Sequence, residues 1–208
     1  MNDHDHQGEG PPSLEARRSL LEGSDFHPEP GQEAWEQWHQ ARAFIADAIN
    51  QDGDVLDVGC ANGLLLTSLI QWSPDHQLVP YGIDTRADRV KEADGPLASR
   101  GGRAALLPMA ELARLGEVGL PEAYDLIYWN VWDNVSFAEP VWRERLAELA
   151  SHLKPGGRLI LGFYDSDPHQ SSARIIRLAE HGVQIAGTHK NPAGPERLAW
   201  IDAPNHSS

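Results

Sequence analysis

Val55-Leu56-Asp57-Val58-Gly59-Cys60-Ala61-Asn62-Gly63 is an apolar run that gives way to small residues, and Leu64-Leu65-Leu66 follows at once. That order reads as a buried strand, a tight loop and the first turn of a helix. Glycine lets a ligand approach the backbone closely, and the first amides of a helix offer N–H groups that no helical carbonyl takes. A dinucleotide-binding loop needs glycines spaced G-x-G-x-x-G. Here Ala61 holds the second position and Leu64 the third, which argues against an NAD-linked oxidoreductase. Ala61 is small enough for the loop and is expected to keep an ordinary backbone conformation. Cys60, the single cysteine, has no disulfide partner and reads as a small packed side chain.

Outward from this strand, short apolar runs alternate with helical periodicity. Strands are predicted over Asp54–Val58, Leu78–Ile83, Ala104–Leu107, Tyr124–Asn130, Arg158–Tyr164, Val183–Thr188 and Arg197–Ile201. Helices are predicted around Leu64–Trp72, Arg86–Glu92, Glu111–Leu115, Phe137–Leu153 and Ala173–His181, with Trp142, Leu146, Leu149 and Leu153 as one core stripe. Regular alternation implies a mostly parallel sheet with helices on both faces, because right-handed crossovers place them there. Only His189–Glu196, rich in Pro and Gly, joins the last two strands, which suits an antiparallel hairpin.

Toward the N-terminus three parts are expected. Residues 1–12 read as a flexible polar tail, in which His4 and His6 belong to a solvated terminus rather than a metal site. Residues 13–50 form a helical lid: Ser13 caps a short helix that stops at Gly23, an extended connector follows through His27-Pro28 and Glu29-Pro30, and Gln32–Asn50 is a second helix. Trp35, Trp38, Ala41, Ile45 and Ile49 give it one apolar stripe. Residues 51–208 are the α/β domain.

With 17 Lys+Arg against 31 Asp+Glu, the 208-residue chain carries a formal charge of −14. Such a field repels a phosphate backbone unless a basic patch overcomes it, and Arg100, Arg103, Arg143 and Arg145 form none, so nucleic acid is a disfavoured partner. No apolar run approaches the roughly 20 residues that span a bilayer. The acidic start lacks the apolar segment of a signal peptide, so the expectation is a cytoplasmic protein without a membrane partner. No Cys/His spacing matches a zinc site, and no metal is expected.

Asp84 ends the second strand candidate, in Tyr81-Gly82-Ile83-Asp84. Alone it is equally a helix cap; beside the Gly59 loop, a carboxylate there can accept both hydroxyls of a ribose. Four features in order, Asp57-x-Gly59-x-Ala61-x-Gly63, Asp84, Tyr124-Asp125-Leu126-Ile127 and Leu153-Lys154-Pro155-Gly156-Gly157, make the chain resemble class I S-adenosylmethionine-dependent methyltransferases over about residues 51–201. The resemblance implies a three-layer αβα Rossmann-like methyltransferase fold with a mostly parallel seven-stranded sheet, order 3-2-1-4-5-7-6, strand seven antiparallel, behind an N-terminal helical extension. It implies S-adenosylmethionine as cofactor, with Asp57, Gly59, Cys60, Ala61, Asn62 and Gly63 around its methionine part and Asp84 with Thr85 at the ribose. Met109 and Ala110 fall where relatives touch adenine, Met109 as an apolar wall or as ordinary core. Glu111 lies one place late for an acidic reader of the adenine amino group.

Asn130 and Trp132, at the end of the fourth strand, are expected to face the cofactor, Trp132 as a wall or packed under a helix. Val131-Trp132 breaks the Asn-Pro-Pro-Tyr motif of some amino-group methyltransferases, so a nucleobase or glutamine amide is not the indicated target. A sulfonium methyl group is already activated, so alignment and exclusion of water come first and a base is needed only if the acceptor must lose a proton. Candidates for that proton are His27, His39, Asp133, Tyr164, Asp165 and His169. No long insertion follows strand five or separates strands six and seven, so the N-terminal segment is expected to close the pocket, with Trp35 and Trp38 as an aromatic wall or as packing. The activity that follows is methyl transfer to an O or N atom of a small molecule. The alternatives are a non-catalytic S-adenosylmethionine-binding regulatory module and a methyltransferase acting on protein or RNA.

Overall fold

Alternation along the most buried strand shows how the layers arise. In β4 (Tyr124–Asn130), Ile127 and Trp129 enter one apolar cluster while Leu126 and Tyr128 enter another, because successive side chains leave a strand on opposite faces. Both faces must therefore be covered. The computed structural model describes residues 13–28 and 33–205; the predicted tail, with His4 and His6, and the end of the connector lie outside the described residues.

The sheet contains β1 (Gly53–Val58), β2 (Leu78–Asp84), β3 (Arg103–Leu106), β4, β5 (Leu153–Phe163), β6 (Gly187–Lys190) and β7 (Arg197–Asp202). It has seven strands in the order β3-β2-β1-β4-β5-β7-β6. The first five strands pair in parallel, and β7 runs antiparallel to β5 and β6. This is the order that the resemblance implies. Leu66 and Leu69 of α3 (Leu64–Trp72) and Ala93 and Leu97 of α4 (Ala87–Ala98) cover one face; Leu146 and Leu149 of α5 (Pro140–Ser151) and Leu178 of α6 (Pro168–Glu180) cover the other. The N-terminal helices are α1 (Leu14–Gly23), capped by the Ser13 hydroxyl, and α2 (Ala34–Arg42).

Several elements depart from the sequence reading. The helix expected over Gln32–Asn50 ends at Arg42, and a tighter 3-10 segment, Ala43–Ala48, buries Phe44, Ile45 and Ala48. The helix expected around Glu111–Leu115 is a short 3-10 segment, Met109–Arg114, kinked at Glu111, which leaves helical geometry (φ −124°, ψ 29°). α4 runs on through Pro96, because fully buried Ala93 and Leu97 hold it on the core despite the lost hydrogen bond. α6 begins at Pro168, where the Asp167 carboxylate accepts from His169 N at 2.9 Å. β6 starts only at Gly187, later than the predicted Val183; Ala186 N donates to Trp200 O, and the indole of Trp200 fills the space a side chain at 187 would need.

The Lys-Pro-Gly-Gly stretch has a structural task. Lys154 Nζ donates to Asp54 Oδ2 and Asp125 Oδ2, both at 2.7 Å, tying the starts of β1, β4 and β5. Lys154→Met leaves the two carboxylates facing each other. Discounted for partial exposure, the expected loss is about 1 kcal/mol in urea unfolding, and a midpoint equal to wild type would show the ion pairs to be inert.

Candidate functional site

The loop after β1 is held by its own hydrogen bonds. Gly59 N and Cys60 N both donate to Ile83 O, at 2.8 and 3.0 Å, Gly63 N donates to Cys60 O at 2.8 Å, and Leu64 N donates to Asn62 Oδ1 at 3.3 Å. The expectation of free loop amides is therefore corrected for these groups. Amides wedged between two strand ends need partners, and β2 and the loop itself supply them. Ala61 is a second correction. Its φ is +47°, in the left-handed region, rather than an ordinary conformation. That geometry costs an alanine roughly 1 kcal/mol, and it is held by Ala61 N donating to Asp84 Oδ2 at 2.9 Å.

What the loop presents is the open face of Gly59 and two carboxyl groups. Gly59 is exposed with φ +83°, and a Cβ there would lie 3.2 Å from Cζ2 of Trp132, so one edge of that ring stands beside it without closing it off. Asp84 also accepts Arg86 N on Oδ1 at 2.9 Å, so each of its oxygens carries one bond and keeps a lone pair for another. Asp57 is 3% exposed, and its carboxyl is pushed up to about 7 by burial and then by the charge of Asp84, with Arg42 opposing. Cys60 is packed away, its thiol raised by burial and its sulfur against the backbone of Gly82. Asn62 is buried, and its Nδ2 donates to Leu20 O of α1 at 2.8 Å.

Two cavities meet above this loop. The smaller, about 70 Å³, lies between the loop and Ser24, Phe26, Trp38 and Arg42 of the N-terminal segment. The larger, about 880 Å³, extends past Trp132, Asp133, Tyr164 and Glu196. They share Phe26, Arg42 and Asn130. Arg42 stands at the junction with its guanidinium 3.6 Å over the Tyr164 ring. The Tyr164 and Tyr128 hydroxyls lie 2.7 Å apart, and burial raises both phenols.

The candidates from sequence are divided by this geometry. His27, Asp133 and Tyr164 line the larger cavity. His39 sits on the outer face of α2, edge-on to Trp72 at 5.3 Å, and His169 is exposed at the start of α6; neither lines these cavities. Asp165 accepts from Ser171 Oγ and Arg174, so its carboxylate is already engaged. Trp132 is 42% exposed and lies beside Gly59, a wall rather than core. Trp38 lines the smaller cavity and also packs on Trp72 at 5.2 Å, whereas Trp35 lines neither cavity. Met109 is half-buried against the core, and Ala110 and Thr85 are exposed.

Arg42, Tyr128, Phe26 and Glu196 were not legible as site residues. Arg42 reads as the polar end of a helix and Tyr128 as strand core; only Tyr164, just after β5, brings them together, under the Arg42 guanidinium and against the Tyr128 hydroxyl. The loop after β6 also reaches the larger cavity, through Asn191 and Ala193 to Glu196, although it is short. Among the described residues no group of His, Cys, Asp and Glu could hold a metal ion, and no helix is long and apolar enough to cross a membrane.

Compared with known proteins, the chain matches the methyltransferase domain family over residues 31–201, a span that includes α2 as well as the sheet. With that match and this strand order, the chain belongs to the class I, Rossmann-like methyltransferases that use S-adenosylmethionine. The match to curated proteins is nil. Among solved structures it resembles the N-methyltransferase NodS from Bradyrhizobium japonicum WM9 in complex with S-adenosyl-L-homocysteine, at 16% identity and TM-score 0.59, covering 91% of this chain and 98% of that one. It also resembles an O-methyltransferase family protein from Burkholderia thailandensis, at 13% identity and TM-score 0.61, covering 92% of this chain and 60% of that one. A third is a ribosomal protein L11 methylase from Lactobacillus delbrueckii subsp. bulgaricus, at 20% identity and TM-score 0.53, covering 88% and 91%. These likenesses are likenesses of fold and leave the acceptor open.

Proposed function

We propose that this methyltransferase acts on an O or N atom of a small molecule held in the larger cavity. The observation that carries the reading is the continuity of that cavity with the Gly59 loop through Phe26, Arg42 and Asn130. Its volume of about 880 Å³ falls in the range of small-ligand sites.

The residues present fit the cofactor. Asp84 keeps one lone pair on each oxygen for two ribose hydroxyls, and the bare face of Gly59 lets a chain pass close to the backbone. Asp57 suits an ammonium group, whose charge would draw off its proton. Arg42 is the one Lys or Arg side chain among the described residues lining either cavity, and it suits the carboxylate of the methionine part. S-adenosylmethionine supplies, when bound, a methyl group already activated by its sulfonium.

The chain's own residues then hold and enclose. Phe26 and Trp132 exclude water, and Asn130 faces the junction. Tyr164, with its phenol raised by burial, keeps its proton and orients an acceptor by donation rather than removing a proton. Asp133 and His27 remain as groups at the cavity able to take a proton from the acceptor. Residues 13–50 act as a lid over 51–208. Ser24 and Phe26 of that lid line the space above the Gly59 loop.

Arg42→Ala is expected to weaken S-adenosylmethionine binding about tenfold in calorimetry, and unchanged affinity would remove Arg42 from the carboxylate. The acceptor class is tested with methyl-labelled cofactor and separate pools of metabolites, protein and RNA. Label in a small product supports the reading; label confined to protein or RNA overturns it.

A further inference from the structure

A part-buried cation stands outside the site and grips the loop that forms its wall. Arg174, on α6, donates through Nη1 to Asp165 Oδ1 and Oδ2 at 3.1 and 3.2 Å. Through the two hydrogens of Nη2 it reaches three carbonyls, Trp132 O at 2.6 Å and Val131 O and Val135 O, both at 3.3 Å, so one hydrogen is shared between acceptors. The guanidinium lies 5.3 Å from the Phe163 ring centre, and the Asp165 carboxylate is fixed in turn by Ser171 Oγ at 2.7 Å. The two side chains are 16% and 8% exposed, so this is a largely desolvated, hydrogen-bonded ion pair rather than a surface pair.

The gripped segment is the one that carries Trp132 and Asp133 after β4. Val135 N donates to Trp132 O at 3.0 Å, so the same carbonyl closes the turn and receives Arg174. Trp132 is 42% exposed and contacts Trp129 edge-on at 6.4 Å. So little packing leaves its ring direction to the backbone beneath it. One edge of the ring stands beside Gly59, and the residue also lines the larger cavity.

We propose that Arg174 is a positioning residue: by fixing three backbone carbonyls it sets Trp132 as the partition between the cofactor loop and the acceptor cavity. The planar guanidinium is suited to this, because its fork reaches a carboxylate on one side and several carbonyls on the other. A lysine could keep the charge opposite Asp165 but not both sets of bonds. The proposal rests on the reading of Trp132 as part of the cofactor wall.

The test uses the full chain, S-adenosylhomocysteine as probe, and the variants Arg174→Ala, Arg174→Lys, Trp132→Phe and the Arg174→Lys/Trp132→Phe double variant. Should Arg174→Ala not fold, Arg174→Lys carries the test alone. The contribution of Trp132 to acrylamide quenching, taken as the difference between proteins with and without that indole, is expected to rise about twofold in Arg174→Lys as the ring loosens. The Kd for S-adenosylhomocysteine is expected to rise about fivefold in either Arg174 variant, and the double variant to bind no worse than Trp132→Phe alone. Unchanged quenching, or losses that multiply in the double variant, would overturn the proposal by showing that Arg174 acts without Trp132. Asp84→Ala in the same titration separates the two readings: if it binds like wild type, the cofactor site itself has been misplaced.

Discussion

Asp84→Ala is expected to weaken S-adenosylmethionine binding by about 10- to 100-fold in a calorimetric titration. The carboxylate ends β2 beside the Gly59–Gly63 loop, and each oxygen already accepts one amide, from Ala61 and from Arg86. Two lone pairs remain for the two hydroxyls of a ribose, and hydrogen bonds to a charged acceptor are the stronger kind. The substitution also releases Ala61 N, the bond that holds Ala61 at φ +47°, so the loop relaxes while it loses its ligand partner. Asp84→Asn separates these effects. Its carbonyl oxygen can still accept from Ala61, while the NH2 that replaces the other oxygen gives up the bond from Arg86 N and the acceptor for one ribose hydroxyl, so an intermediate affinity is expected. Wild-type affinity in Asp84→Ala, with the thermal midpoint also unmoved, would end the ribose assignment.

The second large effect is a pH dependence of stability centred on Asp57. The carboxyl is pushed up to about 7 by burial and by Asp84, against about 3.9 in an unfolded chain. Between about pH 4 and about pH 7 the folded protein therefore holds a proton that the unfolded chain has released. Stability falls as pH rises through that window and is level above it, with a total loss on the order of 4 kcal/mol. Asp57→Asn removes the titration. Urea unfolding at pH 5 and pH 8 is expected to show a much smaller difference in the variant than in wild type, with the variant the more stable at pH 8. An equal pH dependence in the two proteins would mean that Asp57 ionises freely when folded. In the wild type, binding of a cofactor that carries an ammonium group is expected to release a proton near pH 7, seen as a binding enthalpy that varies with the ionisation enthalpy of the buffer.

Both predictions concern residues that the sequence already marked, and the reason is local. Asp57, one place before the end of β1, and Asp84, at the end of β2, belong to strands whose apolar runs are readable from period and composition, and the loop between Gly59 and Gly63 is announced by its small residues. The strand order followed from the same run of motifs. Elsewhere the tertiary context overrode the local signal: Val183 was replaced by Gly187 as the start of β6 because Trp200 settles on the glycine, and the predicted helix at Glu111 became a 3-10 turn. The free amides expected of the loop were lost to Ile83, a partner on a different strand.

The acceptor side was far less legible. Of six residues named for a proton, His27, Asp133 and Tyr164 reach the larger cavity, while His39, His169 and Asp165 are turned away or engaged elsewhere. Arg42, Tyr128 and Glu196 carried no motif. They come from α2, from β4 and from the loop before β7, and nothing along the chain relates them.

The amino-acid sequence by itself determined the class of fold and marked the loop and carboxylates proposed to hold the cofactor, because β-α periodicity, small-residue loops and carboxylates near strand ends are short-range patterns. Only the tertiary structure decided how the site is walled: Trp132 set beside Gly59, Arg42 laid on Tyr164, and Arg174 reaching from α6 to the carbonyls of another loop. The physical reason is range. A hydrogen-bonded turn involves neighbours in the chain, whereas a cavity is enclosed by segments that meet only after the sheet has brought its strand ends together.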